Sequence, residues 1–312
     1  MKYHLAIDFG GTRLRVALFD DTFQIVNRAE TLTLVSEGQE AVLQRIIKMG
    51  KSVLLDGVEL ASIGIAAPGP LDSKQGIIIK AETLPGWNNV PIGQVVRDAF
   101  GSVPTYIQND GNLGALAEYH YGAGKGANPM IYMTISTGIG GGIIIDGDLF
   151  TGASALAAEP GHMRLTLADG SHRRLEELAS GTALATWATH YLNTTDTPSS
   201  LRALPEIDGK AVGEAATMGD HFALQIVQQA GNWLGLGLVN LVHLFNPEAI
   251  VLGGSVTKLG ELILKPAVQT LKANVLFDGF ISDNLIRYAR ITEDMCLVGA
   301  AAYSHQQLLS TR

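Results

Sequence analysis

A carboxylate followed at once by a glycine corner is the first chemically loaded feature of this chain. Asp8 ends an apolar run, Gly10, Gly11 and Thr12 follow, and the apolar beat resumes at Leu14. Glycine at a strand-to-strand corner lets backbone N–H groups approach a ligand with no Cβ in the way. Several such groups aimed one way form an anion nest. A carboxylate beside phosphate is repulsive unless a divalent cation lies between them, so Asp8 at such a nest points to Mg2+ carried with a polyphosphate. Thr12 adds a hydroxyl, and Arg13 adds a cation suited to phosphate. A second stretch repeats the pattern without the acid: the apolar run Met130–Ile135, then Ser136, Thr137 and Gly138, then Gly140–Gly142 and a further apolar run. Laid over the first, it places Asp8 on Ser136, Val16 on Ile144 and Asp20 on Asp148. Repetition of this unit implies two related halves, each opening with a glycine-cornered hairpin. Glycine turns are common in plain hairpins, so either stretch alone would be ambiguous. Two at a domain-sized interval favour phosphate.

Two further places carry candidate chemistry. Gly253 and Gly254 close the strand "NPEAIVLGG" ahead of Ser255 and an apolar helix. A glycine pair there suits the close approach of a ribose or flat ring, and equally a simple strand–helix turn. Asn109 and Asp110 stand between the short strand "PTYIQ" and a helix. Asp110 is thereby either a general base projected from rigid supports or the cap of that helix. No GxxxxGK[ST] occurs and no GxGxxG opens a helix after a strand, so neither a P-loop nor a Rossmann site is present.

The elements that must carry these residues alternate between strand and helix. In the first half helices are expected near Glu40–Leu54, Ile92–Phe100 and Leu113–Tyr121, with a strand at Leu60–Gly69. In the second half a loop at Thr151–Met163 precedes helices across Arg174–Leu192. A polar connector at Asn193–Asp208 and the apolar helix Ala223–Phe245 follow. This alternation predicts α/β with mixed sheets. The expected domains are residues 1–110, completed by a C-terminal helix at 297–312, and residues 111–296. The chain of 312 residues, 46% hydrophobic with 36 glycines, is long enough for two such cores. Its net charge of −8 and its lack of basic clusters argue against nucleic acid as a partner. One cysteine, Cys296, rules out a disulfide framework, and a reducing, cytoplasmic setting is expected. The N-terminus has no signal-peptide pattern. The longest apolar stretch, Trp233–Phe245, is broken by Asn240 and His243 and falls short of the about 20 residues that span a bilayer.

Taken in order, Asp-x-Gly-Gly-Thr, "NDGN", "STGIGGGI", Glu-x-Gly-His at Glu159–His162 and "NPEAIVLGG" resemble the motifs of the ROK family, from Leu5 to about Tyr303. That family comprises bacterial sugar kinases and sugar-responsive repressors. The resemblance implies two RNase H-like domains of the actin-like ATPase fold around a cleft, with ATP and Mg2+ on one side and a hexose on the other, in a homodimer. By position it assigns Asp8, Gly10, Gly11, Thr12 and Arg13 (in place of the usual Lys) to the first phosphate motif. Thr137 and Gly138 fall to the second, and Gly253 and Gly254 to adenosine. Asp8 is placed at the Mg2+, Asn109 and Asp110 at the sugar with Asp110 as base, and Glu159, His162 and Glu176 at sugar hydroxyls. The activity implied is ATP-dependent phosphorylation of a hexose 6-hydroxyl, glucose first, with N-acylhexosamines, mannose and fructose as relatives' substrates. Polyphosphate remains an alternative donor.

The chain departs from the family in two places. The family's cysteine zinc cluster corresponds here to "LADGSHRRLE", where Leu167, Asp169 and Arg174 replace the cysteines. No thiolate zinc site can form with one distant cysteine, so zinc is not expected. His162, Asp169 and His172 offer at most a weak alternative, because surface histidines near acids are far commoner than ligands. Arg173 or Arg174 is expected to pair with Asp169 or Glu177 and order the loop instead. Thr83 stands where the family's kinases usually carry Asn. The competing readings are a repressor, whose DNA-binding module would precede a motif that here begins at Asp8, and a sugar-binding protein without catalysis.

Overall fold

The computed structural model describes residues 2–81, 83–291 and 293–310. Strands β1 (Tyr3–Phe9) and β2 (Arg13–Phe19) form the first hairpin, antiparallel, with Asp8 directly opposite Arg15. Strand β3 (Ile25–Leu32) continues antiparallel on β2. Helix α1 (Gln39–Ser52) then crosses to β4 (Leu60–Ala66), which pairs in parallel with β1. β5 (Leu71–Asp72), β6 (Ile77–Lys80) and β7 (Asn88–Val90) make a separate small sheet between the expected strand ending at Gly69 and the expected helix near Ile92, where no element was expected. Strands this short carry too few alternations to show a period. Helix α2 (Ile92–Ala99) leads to β8 (Thr105–Gln108), and α3 (Asp110–Tyr121) follows.

The second half opens with the hairpin β9 (Met130–Ile135) and β10 (Ile139–Ile145), then β11 (Asp148–Leu149) and the small hairpin β12 (Arg164–Thr166) with β13 (His172–Arg174). Helices α4 (Glu176–Ala179), α5 (Gly181–Thr194), α6 (Gly209–Thr217) and α7 (His221–Phe245) come next. Strand β14 (Ala249–Gly253), helix α8 (Glu261–Asn274), strand β15 (Ile286–Tyr288) and helix α9 (Met295–Ser310) complete the chain. Residues 311 and 312 of the expected last helix lie outside the described residues.

The duplicated hairpins have duplicated surroundings. One sheet runs β3-β2-β1-β4-β8 and the other β11-β10-β9-β14-β15. In both, the first strand of the hairpin also pairs in parallel with the strand that follows a crossover, β4 or β14. Helices on the sheet faces explain why β4 and β14 read as near-continuous apolar runs and are buried.

By contacts the chain divides into two units: Met1–Gly122 with Leu149–Ala157 and Glu293–Arg312, and Ala123–Asp148 with Ala158–Thr292. The first unit thus runs past the expected division at residue 110 and takes in the whole of α3. The cause is packing of α3 on α9: a Cβ on Gly299 would strike the Leu113 carbonyl, so only glycine admits this approach. In the second unit α7 packs on α8 by the same device, since Cβ atoms at Gly231 and Gly235 would each lie 2.5 Å from a carbonyl oxygen of α8. No helix among the described residues is long and apolar enough to cross a membrane.

Candidate active site

In the first unit the glycine corner is fixed from outside the motif. The Gly10 N–H donates to the Arg13 carbonyl at 3.0 Å, and the Thr33 N–H donates to the Thr12 carbonyl at 2.9 Å. The Thr33 hydroxyl donates to the Gly10 carbonyl at 2.7 Å. Thr33 is fully buried and nothing in its sequence surroundings marked it. Gly11 passes so close to residue 83 that a Cβ there would lie 2.7 Å from the Thr83 carbonyl oxygen. Arg13 leans to the surface and pairs with Glu30 at 2.7 Å. Thr12 is exposed at the tip of the corner.

Asp8, at the end of β1, does not stand alone. Arg15 Nη2 donates to its Oδ2 at 2.5 Å. Burial raises the Asp8 pKa, Arg15 pulls it back, and the negative charges of Asp110 and Asp294 push it up again. Asp110 is thus near enough for its charge to be felt at Asp8.

The "ND" pair divides its labour. Asn109 caps α3, its Oδ1 accepting from the Asn112 N–H at 2.8 Å, which leaves its Nδ2 hydrogens to donate. The capping role left open for Asp110 therefore falls to its neighbour. Asp110 is the first helical residue, and its Oδ1 accepts from the Gly111 N–H at 2.8 Å. Solvent reaches Asp110, yet the surrounding protein displaces enough water to hold its carboxyl above the ordinary carboxylate range. Behind the pair, the buried Gln108 accepts from the Asn109 N–H at 2.9 Å and from Asn112 Nδ2 at 3.2 Å. Gln108 and Asn112 are thus supports that motif reading passed over.

In the second unit the corner Ser136–Gly138 is closed by a Ser136 N–H to Gly138 carbonyl bond of 2.9 Å. The start of α5 abuts it: Gly181 N–H donates to the Ser136 carbonyl at 2.7 Å and Thr182 N–H to the Thr137 carbonyl at 3.3 Å. A helix N-terminus beside a glycine corner is a favourable place for phosphate. Gly254 has φ +94°, and a Cβ there would collide with the Ile135 backbone. The Thr257 hydroxyl caps its carbonyl at 2.8 Å. Between this turn and α6 lies a cavity of about 750 Å3 whose walls include Ser136, Thr137, Asp208, Lys210, Ser255 and Lys258. Its α6 wall was not foreseen, because the sequence read as polar connector up to Asp208, which is in fact the N-cap of α6.

Glu159 precedes and His162 ends a short 3-10 turn lying on β10, where Gly161 meets the Ile139 carbonyl too closely for any Cβ. Leu175 N–H donates to the Met163 carbonyl at 2.8 Å, which ties that turn to the start of α4 and brings Glu176 to the same corner. Glu176 also borders the second glycine corner: a Cβ at Gly138 would lie 3.1 Å from its Oε2.

Residues 4–307 match the ROK family. The chain belongs to that family. A glucokinase of Thermotoga maritima is 30% identical over 97% of this chain and 98% of its own length. The solved ROK hexokinase of Thermus thermophilus is 29% identical with a TM-score of 0.83, covering 99% of both chains. The ROK family glucokinase of Streptomyces griseus, solved in complex with glucose and AMPPNP, is 30% identical with a TM-score of 0.77, covering 97% of this chain and 99% of that one. The fold of this ROK protein is the actin-like ATPase fold.

Where the family's zinc cluster would stand, this ROK chain has the β12–β13 hairpin. Its turn is set by Leu167 N–H to the Ser171 carbonyl at 2.8 Å and by Asp169 Oδ1 accepting from the Ser171 N–H at 2.9 Å. The expected arginine–acid pairing is made by Arg174, which reaches Glu177 at 3.3 Å and also Glu176 at 2.8 Å. Among the described residues no group of three or more His, Cys, Asp or Glu has the arrangement to hold a metal ion. Asp8, with one oxygen engaged by Arg15, fits a water-mediated partner of a cation borne on phosphates. It does not make a resident metal site.

Proposed function

We propose that this protein transfers the terminal phosphoryl group of ATP to the 6-hydroxyl of a hexose, glucose first. The observation that carries the reading is the division of labour at Asn109 and Asp110. Capping of α3 is done by Asn109, so the Asp110 carboxylate keeps lone pairs free at a rigid helix start, and its crowded surroundings make it a stronger base than an ordinary aspartate. In a loose phosphoryl-transfer transition state the hydroxyl proton leaves late, and a well-oriented carboxylate suffices to accept it.

The other residues have roles that follow from their chemistry. Asn109 Nδ2 donates to a sugar hydroxyl, while Glu159 and Glu176 accept from others and His162 completes the set. The N–H groups and hydroxyl at Gly10, Gly11 and Thr12, and those at Thr137 and Gly138, take up phosphate oxygens, with α5's N-terminus behind the second group. Gly253 and Gly254 let the adenosine lie against backbone in the cavity beside α6. Arg13 would have to leave Glu30 to reach phosphate, a small loss for an exposed pair. A Mg2+ arriving on the phosphates would neutralise charge developing during transfer, with Asp8 Oδ1 holding it through water. A homodimer in the cytoplasm belongs to this reading, and light scattering of the purified protein checks the assembly.

An ADP-release assay over glucose, mannose, fructose, N-acetylglucosamine and N-acetylmannosamine, with ATP and then polyphosphate as donor, tests the proposal. Turnover on glucose with ATP supports it, and a preference for an N-acylhexosamine, fructose or polyphosphate would reassign substrate or donor. A flat response to every sugar and donor would favour a sugar-responsive repressor or sugar-binding protein.

A further inference from the structure

The ion pair at Asp8 leads beyond this reading and rests on it. Arg15 lies across the hairpin from Asp8 and takes one of its two carboxylate oxygens, Nη2 to Oδ2 at 2.5 Å. Its other terminal nitrogen, Nη1, donates to the Glu293 carbonyl at 2.5 Å, just before α9 begins. Asp294, next along, is held in turn by Arg28 at 2.9 Å. The guanidinium is therefore pinned by two elements, and it is more buried than a surface cation, with 28% of its side chain exposed against 14% for Asp8. Such a cation is not a loose side chain that solvent screens away. It places a permanent positive charge on the carboxylate a divalent ion would seek.

We propose that Arg15 guards Asp8 against divalent cations that arrive without a nucleotide. In the empty protein the guanidinium neutralises Asp8 and repels a second cation. Near Asp8 the balance reverses only when the charges of a polyphosphate arrive together with the metal. The cation then enters as a metal–nucleotide complex, and free Mg2+ or Ca2+ does not lodge between Asp8 and Asp110 to block the sugar corner. Of the neighbouring acid Asp294, one oxygen is held by Arg28. No local pattern marks Arg15, which lies beyond the glycine motif and is aligned with Asp8 only by the hairpin register.

Binding of Mn2+ to the nucleotide-free protein, followed by electron paramagnetic resonance, tests the proposal directly. The wild type should hold Mn2+ only at millimolar concentrations. Arg15→Met, which keeps the packed stem and removes the charge, should bind at least tenfold more tightly, and adding Asp8→Asn to it should abolish the gain. Arg15→Lys, which keeps the charge, should behave as wild type. Micromolar Mn2+ affinity in the wild type would overturn the idea without any variant. So would an Arg15→Met protein, or Arg15→Gln should the first fail to fold, that melts normally and binds Mn2+ no better than wild type. ATP is then added to the wild type. If ATP brings no Mn2+ to the protein, it is the kinase reading that fails, whatever the variants do.

Discussion

Acid should destabilise the first unit through one buried histidine, and the size of the effect can be worked out. His4 is 2% exposed at the start of β1, with Nδ1 2.7 Å from the Ser62 hydroxyl, which donates to Ser304 at 2.9 Å. Its ring stacks on Phe23 and meets His305 edge-on. Burial, helped by the charge of His305 and opposed by Asp21, lowers its pKa to about 4 from 6.5. The unfolded chain binds this proton below about pH 6.5 and the folded protein resists it down to about pH 4, so stability is full at neutral pH and falls as pH drops through that window. A shift of this size, taken through the linkage relation, costs about 2 kcal/mol between pH 7 and pH 5. His120 and His305, also lowered, act with the same sign. Asp8 and Asp110, whose pKa values are raised, act with the opposite sign, because the folded state takes up their protons more readily. His4→Phe isolates the term: it keeps the stacking, cannot titrate, and forfeits the Ser62 bond at a pH-independent cost of about 1 kcal/mol. Urea unfolding between pH 5 and pH 7 reads it, followed by the fluorescence of Trp87 with Trp187 and Trp233 replaced by Phe, since Trp87 is buried in the first unit. The variant should start lower at pH 7 and lose about 2 kcal/mol less on acidification. Parallel wild-type and variant curves would refute the reasoning.

Asp110→Asn should reduce turnover by several orders of magnitude while thermal protection by ATP is retained; turnover within about tenfold of wild type would remove it as the base. Gly254→Ala imposes both a positive φ and a collision with Ile135, so it should cost about 1–3 kcal/mol in chemical denaturation and abolish ATP protection. Arg174→Ala removes ion pairs whose side chains are 23–40% exposed, so its melting point should change by less than about 1 kcal/mol in stability terms. Released from Arg174, Glu176 should lose its orientation, and KM for sugar should rise more than kcat falls. An unchanged KM would detach Glu176 from the sugar.

Much of the candidate corner's local structure was open to reading because its signals are local. A glycine corner must follow from two strands that turn within three residues, and the second copy of the pattern carried its sheet order with it, down to the parallel partner of each first strand. The alternation of apolar runs fixed the long elements, including α7, whose buried stripe needs no partner to be recognised. The small sheet β5–β7 and helix α6 escaped, the first for want of length and the second because its cap lies in a polar run.

What the chain alone determined, then, is which residues could do chemistry and which elements carry them, since glycine corners, caps and apolar periods act over a few neighbours. Only the tertiary structure decided that Thr33 holds the first corner and that Arg15 occupies Asp8. Those outcomes depend on strand register and on segments far apart in sequence meeting in space, and no local pattern of residue types encodes such a meeting.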